Sequence, residues 1–557
     1  MQRLAQLLAV RSGEGRLAGL VIGVMLLTSM GSALGGAGID TLFYTRFGVQ
    51  YLPYMFMILS VVTIATSLGV TALLGRLRRE RLYVALPLAV AIFLLAARLL
   101  LTLDFRALYP VLWIGKEVAN NLIGFMVWGA AGLVFDSRQA RRLFPLFGAG
   151  RILGSVIGGL LTGWFVSLGG TENLVALWVG AMLLAFIFSR LLLRGRAHPA
   201  PRRGSRAGGQ PGFFREIRKG YQYIRGSSLM RWISVAAVLF SILFFSIALP
   251  FSRAATLQFP QEAALAGFLG AFEGLSTAAA FLASLFLTNR LFARFGIMTV
   301  ILAGPVTYLL GFGAMAVAPV FVIIVAFRFV QMLWLSGLAD PAWQAMFNVV
   351  PAERRDQVRA FMGIPDQAGT LIAGLVLLIG QQTLNPRQLS LIGLLGAAVC
   401  TYVVWRSRRA YYTALVDALR LGRSQVFFNE EEPFGGFRRD SAATAALIAG
   451  THHDDLVIRR VATEILGQVH VPDAAEVLVN ALSDPDAVVR KNALKALASR
   501  AGPSWLPEIE RMLRDPDAEV RIEAIACLLR LDLPIPDVRR ILEPLLADPL
   551  PAVRIRA

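Results

Sequence analysis

The stretch WGAAGLVFDSRQARRLFPLFGAGRILGSVIGGLL (residues 128–161) returns in altered form as WQAMFNVVPAERRDQVRAFMGIPDQAGTLIAGLV (343–376). Each copy holds the end of one apolar run, a short charged turn and a second apolar run punctuated by glycine. The offset between the copies is a constant 215 residues, so that Gly148, Gly154 and Gly159 match Gly363, Gly369 and Gly374. Internal repetition defines an architecture before any local feature is considered. Residues near 1–200 and 215–405 are therefore predicted to be two versions of one unit.

The composition is that of a membrane protein. Of 557 residues, 56% are hydrophobic and only 16% are charged, whereas a soluble protein carries about 25% charged residues. Apolar runs of about 18 residues or more predict membrane-spanning helices. The two cysteines, Cys400 and Cys527, lie far apart, and the four histidines lie outside the apolar runs. No disulfide framework and no metal site is predicted.

Twelve apolar runs are long enough to cross a hydrocarbon core of about 30 Å as helices. They are too long for the tilted strands of a membrane barrel and show no strict alternation. The predicted spans lie near 16–39, 51–74, 82–103, 107–135, 143–168, 172–193, 231–252, 263–289, 296–317, 320–347, 359–384 and 388–406.

The charged turns predict the orientation of these spans. Turns after even-numbered spans are rich in arginine, as at 76–81 and 354–359, and the middle loop (194–231) has nine Arg and one Lys against the single acid Glu216. The alternate loops, such as those holding Asp40/Arg46 and Arg253/Glu262, are short and nearly neutral. Because basic loops stay in the cytoplasm, both termini are predicted to be cytoplasmic. This bias accounts for the net charge of +19, and nucleic acid is not an expected partner.

The middle loop divides into two parts. Residues 194–212 are rich in Pro, Gly and Arg and are predicted to be flexible. Residues 213–226 (FFREIRKGYQYIRG) alternate aromatic and cationic side chains at helical spacing. This pattern predicts a surface helix whose rings enter the lipid headgroups and whose cations meet anionic lipid. A plain linker helix leading into span 7 is the alternative.

Residues 441–557 contain a second, shorter repeat. Arg459, Arg490, Arg521 and Arg554 are spaced by 31, 31 and 33 residues, and an Asp precedes each of the last three by six. An Asp-Pro pair suits a helix start, because Asp accepts unpaired N–H groups and Pro tolerates the first turn. The pattern predicts an α-solenoid and resembles the HEAT family. The first copy has His453 in the Asp position, and the last copy stops at Ala557, so further repeats are expected beyond it.

Two six-span halves joined by a long cytoplasmic loop resemble the major facilitator superfamily of transporters. The turns GRLRRER (75–81) and NRLFARFG (289–296) resemble its signature loop without the usual Asp. The resemblance implies a solute site between the halves near mid-membrane, with access alternating between the two sides. The fold class expected is all-α: six-helix halves at 1–193 and 231–406, a basic linker at 194–230, a second linker at 407–440, and HEAT repeats at 441–557.

Ionisable residues inside spans are costly in lipid and mark candidate functional sites. Lys116, Glu117, Glu273 and Arg328 each lie eight to ten residues from the outer end of a span, which is a depth of about 12–15 Å. Asn120 and Asn121 follow Lys116 and Glu117 by one helical turn and extend a polar face. Arg46 and Arg98 lie shallower, on the outer side.

These residues predict a cavity for an anionic or zwitterionic solute. Lys116, Arg328 and Arg98 would hold the anion, while Glu117 and Glu273 would balance charge or carry a proton. The alternative is that Lys116–Glu273 or Glu117–Arg328 pairs only hold the halves together. Arg151, Asp340 and Asp366 lie towards the cytoplasmic ends of their spans, where gate salt bridges or turn pairing are expected.

Two stretches narrow the resemblance further: DTLFYTRFGVQYLPYMFMILSVV (40–62) and KEVANNLIGFMVWGAAGLVFDSRQARRLFPLFGAGRILGSVIGG (116–159). They resemble the ATP/ADP antiporters of plastids and intracellular bacteria, and especially their free-living bacterial relatives fused to HEAT repeats. The resemblance implies that Arg46 stands near a basic residue of that family and Glu117 near its span-4 acid. The family's Thr-Lys-Glu run in span 10 is replaced by Asp340-Pro341-Ala342, so the resemblance speaks for the fold more than for the solute.

The expected function is secondary active transport of an organic anion, with a nucleotide as one candidate, across the bacterial cytoplasmic membrane. The HEAT solenoid would regulate transport or dock a protein partner. The alternatives are transport of a drug or lipid-like amphiphile, and a non-transporting scaffold or sensor. No P-loop or nucleophile elbow is present, so neither an enzyme nor a cofactor is expected. GAGRILG (148–154) lies on a span and predicts close helix packing rather than phosphate binding.

Overall fold

Helices make up the regular secondary structure of the computed structural model, and no β-strand occurs in its described part. The structure describes residues 14–76, 78–103, 105–194, 213–422, 427, 441–468, 474–498, 505–531 and 533–557. They form two units. The membrane unit comprises Met1–Asn289, Met298–Gln344 and Ala352–Ser407, and the second unit comprises Arg290–Ile297, Ala345–Pro351 and Arg408–Ala557.

The first half of the membrane unit contains six long helices: α1 (Gly15–Leu42), α2 (Leu52–Arg76), α3 (Arg79–Leu100), α4 (Leu108–Val134), α5 (Ser137–Gly169) and α6 (Asn173–Leu193). The helices that follow are α7 (Phe213–Gly226), α8 (Ser228–Ser246), α9 (Ala248–Gln258), α10 (Glu262–Ala283), α11 (Asn289–Phe295), α12 (Ile297–Val317), α13 (Phe321–Trp334), α14 (Asp340–Met346), α15 (Ala352–Thr383) and α16 (Pro386–Arg420).

Eleven helical segments of the described chain are long and apolar enough to cross a membrane. The first, Gly15–Val70, has 56 residues and contains both α1 and α2, of 28 and 25 residues. Gly48, with a φ of 124°, separates these two helices, and each is long enough to cross a core of about 30 Å. The described part of the chain therefore has twelve helices that are long and apolar enough to cross a membrane. We call the side of the membrane unit where α6 ends at Leu193 and α7 begins at Phe213 the linker face. The other side of the membrane unit is called the opposite face.

Several helices are longer than the predicted spans. Asp40 and Arg253, which the sequence placed in short loops, lie inside α1 and α9. The predicted second linker begins as helix, because α16 runs to Arg420, and half of that linker lies outside the described residues. The loop predicted to be flexible, 194–212, also lies outside them except for Arg194.

Glycines bring α5 and α15 against their neighbours in the same way in each half. A Cβ at Gly154 would overlap the carbonyl oxygen of Leu26 in α1, and one at Gly369 would overlap that of Val238 and lie 2.6 Å from the Cβ of Ser241 in α8. The 215-residue offset relates Gly154 to Gly369 and Leu26 to Ser241. The sequence repeat is therefore also a repeat of helix contacts, and the GAGRILG segment serves helix packing.

The two halves meet through a second pair of glycine contacts. A Cβ at Gly159 in α5 would lie 2.5 Å from the carbonyl oxygen of Gly270 in α10. At the equivalent position, Gly374 in α15, a Cβ would lie 2.8 Å from the carbonyl oxygen of Pro53 in α2. Both contacts need a residue without a side chain, because backbone approaches backbone. They place equivalent glycines of the two halves in equivalent contacts across the interface, as expected for two versions of one unit.

The helix predicted over 213–226 is present as α7 and packs on the linker-face end of α15. The ring centroids of Tyr221 and Phe361 are 5.7 Å apart, and the Arg354 guanidinium lies 5.7 Å from the Tyr223 ring centroid. Tyr221 is nevertheless 49% exposed, so the insertion of its ring into the lipid headgroups stays a prediction, as does the linker-helix alternative. The side chains at 213–217 lie outside the described part.

The second unit contains short paired helices: α17 (Ser441–Gly450), α18 (Leu456–Gln468), α19 (Ala474–Ala481), α20 (Ala487–Ala498), α21 (Leu506–Met512), α22 (Ala518–Leu528), α23 (Ile535–Leu542) and α24 (Pro551–Arg556). Arg490 donates to the Asp484 carbonyl of its own repeat at 2.9 Å and forms an ion pair with Asp515 of the next at 2.8 Å. In the first copy, His453 Nδ1 accepts the N–H of Asp455 at 3.0 Å. His453 therefore serves as the hydrogen-bond acceptor that an aspartate, such as Asp484, provides in the later copies.

Candidate functional site

A charged cavity of about 300 Å³ lies between the two halves of the membrane unit. Helices α1, α4 and α5 line it from the first half, and α9, α10 and α13 line it from the second. Five of the residues predicted from sequence line this one cavity: Lys116, Glu117, Asn120, Glu273 and Arg328. The layer of mid-span charge is therefore one continuous site.

Lys116 is buried, with 6% of its surface exposed, and is held by two carboxylates. Its Nζ lies 2.6 Å from Asp40 Oδ1 and 3.1 Å from Glu117 Oε1, and 5.1 Å from the centroid of the Trp113 ring. Asp40 was not singled out from the sequence, because it stands at the boundary of the predicted first span. The ammonium is thus neutralised within the first half.

Arg328 is the second cation of the cavity, and its partners are neutral. Its Nη1 donates to Gln331 Oε1 at 2.7 Å and to the Phe244 carbonyl at 3.3 Å, and the guanidinium lies 4.8 Å from the Phe244 ring centroid. No carboxylate in the described part of the chain lies within ion-pair distance of it. The pairs Lys116–Glu273 and Glu117–Arg328, considered as a structural alternative, do not occur.

The carboxylate of Glu273 is exposed to the cavity. Among the residues that the structure describes, none donates a hydrogen bond to its side chain or pairs with it. The cavity lining therefore holds two cations, Lys116 and Arg328, against three carboxylates, Asp40, Glu117 and Glu273. The first half contributes Lys116 with two carboxylates, and the second half contributes Arg328 and Glu273.

Asparagine side chains of α4 divide between the cavity and the exterior. Ser32 Oγ donates to Asn120 Oδ1 at 2.6 Å, and both residues line the cavity. Asn121 is exposed and does not line the cavity. The polar face of α4 is therefore smaller than predicted: Lys116, Glu117 and Asn120 line the cavity, and Asn121 does not.

Arg46 and Arg98 belong to a separate cluster at the opposite face. Arg46 pairs with Glu172 and with Glu262, at 2.8 Å each, and Arg98 pairs with Glu172 at 3.3 Å. Glu262 is the first residue of α10, so the Arg46–Glu262 pair joins the two halves. Arg46 stands six residues after Asp40, about 9 Å along a helix. The cluster thus joins the halves near the level where α1 ends.

The residues predicted as gates lie outside this cavity. Arg151 and Asp340 are exposed and form no ion pair within 4 Å in the described chain, but the charge of Arg151 acts on Asp340, so their role as gates stays a prediction. Asp366 accepts hydrogen bonds from Ser241 Oγ and from Gln367 Nε2. Because Ser241 lies on α8, Asp366 links two helices of the same half.

Comparisons with known proteins agree with this architecture. Residues 444–528 and 475–557 match the family model for HEAT repeats. No curated protein sequence matches the chain. Among solved structures, a bacterial homologue of the iron transporter ferroportin in an inward-facing state is similar, with a TM-score of 0.54, 12% identity, and coverage of 70% of this chain and 98% of that chain.

Two further solved structures have similar values. The peptide transporter POT, in complex with alafosfalin, has a TM-score of 0.52 and 14% identity over 70% of this chain and 95% of its own. A mutant of the nucleoside transporter NupG has a TM-score of 0.50 and 17% identity over 70% and 99%. At these identities the likeness to solved structures concerns only the fold of the helical bundle, which is of the major facilitator type; the HEAT repeats rest on the family model.

Proposed function

We propose that this protein is a secondary membrane transporter whose solute is a small organic anion or zwitterion bound between the halves. The observation that carries the proposal is Arg328, a cation inside a membrane cavity with no carboxylate partner in the described chain. A charge at this depth is costly unless it is compensated. An anionic group of the solute would supply that compensation, and the aromatic rings around the guanidinium would orient it.

The charge balance of the cavity argues against the nucleotide that the antiporter resemblance suggested. A nucleoside triphosphate carries several negative charges, whereas the cavity lining has two cations and three carboxylates. A volume of about 300 Å³ is also at the low end for ligand pockets. A solute with one carboxylate or phosphate fits better, and a cationic group on it would find Glu117 or Glu273.

Glu273 is the proposed carrier of a proton or of balancing charge. It faces the same cavity as Arg328 from the same half, and its carboxylate is unpaired within the described residues. In this arrangement the solute anion and a proton on Glu273 would occupy the site together. That would lower the net charge moved in each cycle.

The remaining parts of the proposal concern orientation and the second unit. The linker face is assigned to the cytoplasm because its turns carry the arginine clusters, and the membrane is proposed to be the bacterial cytoplasmic one. The Arg46–Glu262 pair would then be an outer gate in its closed state. The HEAT solenoid is proposed to regulate transport or to dock a cytoplasmic protein, because stacked repeats present extended surfaces.

The test starts from the purified full-length protein. Thermal unfolding is measured with a panel of monocarboxylates, amino acids, phosphorylated metabolites and nucleotides, and solutes that raise the midpoint are assayed for uptake into proteoliposomes. The substitution Arg328→Gln is expected to weaken binding of the best solute by at least about tenfold, because a hydrogen-bonded ion pair contributes roughly 1.5–3 kcal/mol. Arg328→Lys should retain part of the activity.

The matched control is Arg387→Gln, which removes an exposed arginine of the same half. It should leave uptake unchanged. If Arg328→Gln transports like the wild type, the anion site is wrong. If no solute of any class is taken up while deletion of 441–557 has a phenotype, the scaffold alternative is favoured.

A further inference from the structure

A second cavity lies inside the second half of the membrane unit. It has a volume of about 390 Å³ and is bounded by α8, α9, α12, α13, α15 and α16. It shares no lining residue with the charged cavity. Its walls are mostly aliphatic, so it is suited to a hydrocarbon chain rather than to a water-soluble solute.

This crevice opens sideways towards the apolar phase. Several of its lining residues are large, hydrophobic and exposed: Leu257 at 84%, Ile392 at 43% and Ile372 at 40%. Exposed aliphatic side chains on a membrane-spanning helix face lipid. A ligand could therefore enter from the bilayer without crossing the charged site.

Arg253 is the one ionisable residue of the crevice lining. Its Nη2 donates to Gln381 Oε1 at 2.8 Å, which uses one of the five N–H groups of a guanidinium. No carboxylate in the described chain lies within ion-pair distance. The lining hydroxyls of Ser246 and Ser390 donate to backbone carbonyls of their own helices. Arg253 is therefore the charged group of the lining that keeps donors for a ligand.

The cation and the apolar wall lie at the depths that a lipid requires. Arg253 stands five residues before the end of α9 at Gln258, or about 8 Å, and Gln381 stands two residues before the end of α15. This is the level at which headgroups meet acyl chains. The lining extends to Leu239 on α8, which is about 21 Å further along the chain at 1.5 Å per residue.

We propose that the crevice binds a phospholipid of the leaflet at the opposite face, with its phosphate on Arg253 and an acyl chain along the apolar wall. The unpaired cation complements a phosphate, and the sideways opening admits a chain from the bilayer. The site also adjoins the contact between the halves. Gln381, the partner of Arg253, donates to the Gln50 carbonyl of the first half at 3.1 Å. A lipid bound at Arg253 would therefore be connected to the contact between the halves through Gln381.

The test is native mass spectrometry of the delipidated full-length protein, titrated with phosphatidylglycerol and, separately, with oleate. The wild type should bind one phosphatidylglycerol more tightly than oleate. Arg253→Gln should weaken this binding by about tenfold, as expected for a lost charged hydrogen bond, and Arg253→Lys should weaken it less. Gly396→Leu should block it, because a Cβ there meets only Leu243 at an ordinary 3.6 Å and the longer side chain enters the crevice.

Arg387→Gln, an exposed arginine near the same face, is the control and should bind like the wild type. Unchanged unfolding midpoints would show that each variant is folded. The proposal is overturned if Arg253→Gln binds phosphatidylglycerol as the wild type does. It is also overturned if oleate is preferred, or if Gly396→Leu retains the lipid. The measured quantity is lipid binding and not solute uptake, so this test is independent of the charged cavity.

Discussion

At the residue scale, the Lys116 ammonium lies between two carboxylates, Asp40 at 2.6 Å and Glu117 at 3.1 Å. Lys116 and Glu117 could be identified in the sequence from their depth in span 4, but Asp40 was placed in a loop. Helix α1 continues through Asp40 to Leu42 and brings this acid to the cavity. Depth along one helix can be counted from sequence, whereas the partner on another helix depends on how both are rotated and tilted.

Loss of Lys116 alone should therefore lower the stability of the protein more than loss of Lys116 together with Asp40. In Lys116→Gln, Asp40 and Glu117 face each other without a cation, and because both carboxylates are partly exposed the expected loss is about 1–3 kcal/mol. The double variant Lys116→Gln/Asp40→Asn should recover much of that loss. Unfolding midpoints of the purified single and double variants measure the coupling. Additive effects of the two changes would contradict it.

In the second unit, the Asp515 carboxylate is likewise a buried charge that is held by an oppositely charged partner, Arg490. Burial alone would raise its pKa, but the hydrogen bonds from Arg490 and from the Asp517 N–H outweigh burial and hold the pKa of Asp515 below its usual range. A depressed pKa gives stability that is present above the unfolded pKa, about 3.9, and is lost as the pH falls through the lower folded value.

Hydrogen exchange of the full-length protein should show this acid sensitivity. Protection of α20 and α22 is expected to hold at neutral pH and to fall below about pH 4. Asp515→Asn should lower protection already at neutral pH and flatten the acid dependence. Arg540→Ala, which removes a pair exposed at the surface, is the control. An acid profile identical in wild type and Asp515→Asn would contradict the prediction.

At the element scale, α5 packs on two neighbours through glycines on two of its faces. Gly154 lies against the backbone of Leu26 in α1, and Gly159 lies against Gly270 in α10. The glycine spacing was visible in the sequence and predicted helix packing. It could not show which glycine meets its own half and which meets the other, because that depends on which faces the assembled bundle turns towards each other.

Replacing Gly154→Ala should destabilise the bundle, because the added methyl group overlaps a backbone carbonyl that cannot rotate away. Overpacking of this kind costs about 1–3 kcal/mol. Gly148→Ala in the same helix has nothing within 4 Å of the new Cβ and should be neutral or slightly stabilising, since Ala is favoured over Gly in helices. The measurement is the unfolding midpoint of each variant in one detergent, and equal values would refute the proposed contact.

At the scale of the whole molecule, the two halves are joined at the opposite face by the Arg46–Glu262 pair and by the hydrogen bond from Gln381 to the Gln50 carbonyl. In the proposed transport cycle, access to the charged cavity from that side requires these contacts to break. Both native cysteines are buried, and burial raises the pKa of the Cys527 thiol to about 11. A single introduced cysteine can therefore report access to the cavity.

Glu262→Gln should open the opposite face more often. A partly exposed ion pair contributes about 1 kcal/mol or less, so labelling of Ser252→Cys by an impermeant maleimide should rise by up to about fivefold. Glu172→Gln is the matched control, since Glu172 pairs with Arg46 and Arg98 inside the first half only. A larger increase from Glu172→Gln than from Glu262→Gln would rule out the gate.

The amino-acid sequence was enough to predict the duplicated helical bundle, its apolar spans, the HEAT repeats and the layer of mid-span charge. These follow from composition, periodicity and internal repetition, which are properties of the chain taken in order. Only the tertiary structure decided that Asp40 neutralises Lys116, that Arg328 lacks a carboxylate in the described chain, and that Arg46 and Arg98 belong to a cluster apart from the cavity. The reason is physical: ion pairs form over about 3 Å, and helix rotation and tilt, which set such distances, arise from packing between residues remote in sequence.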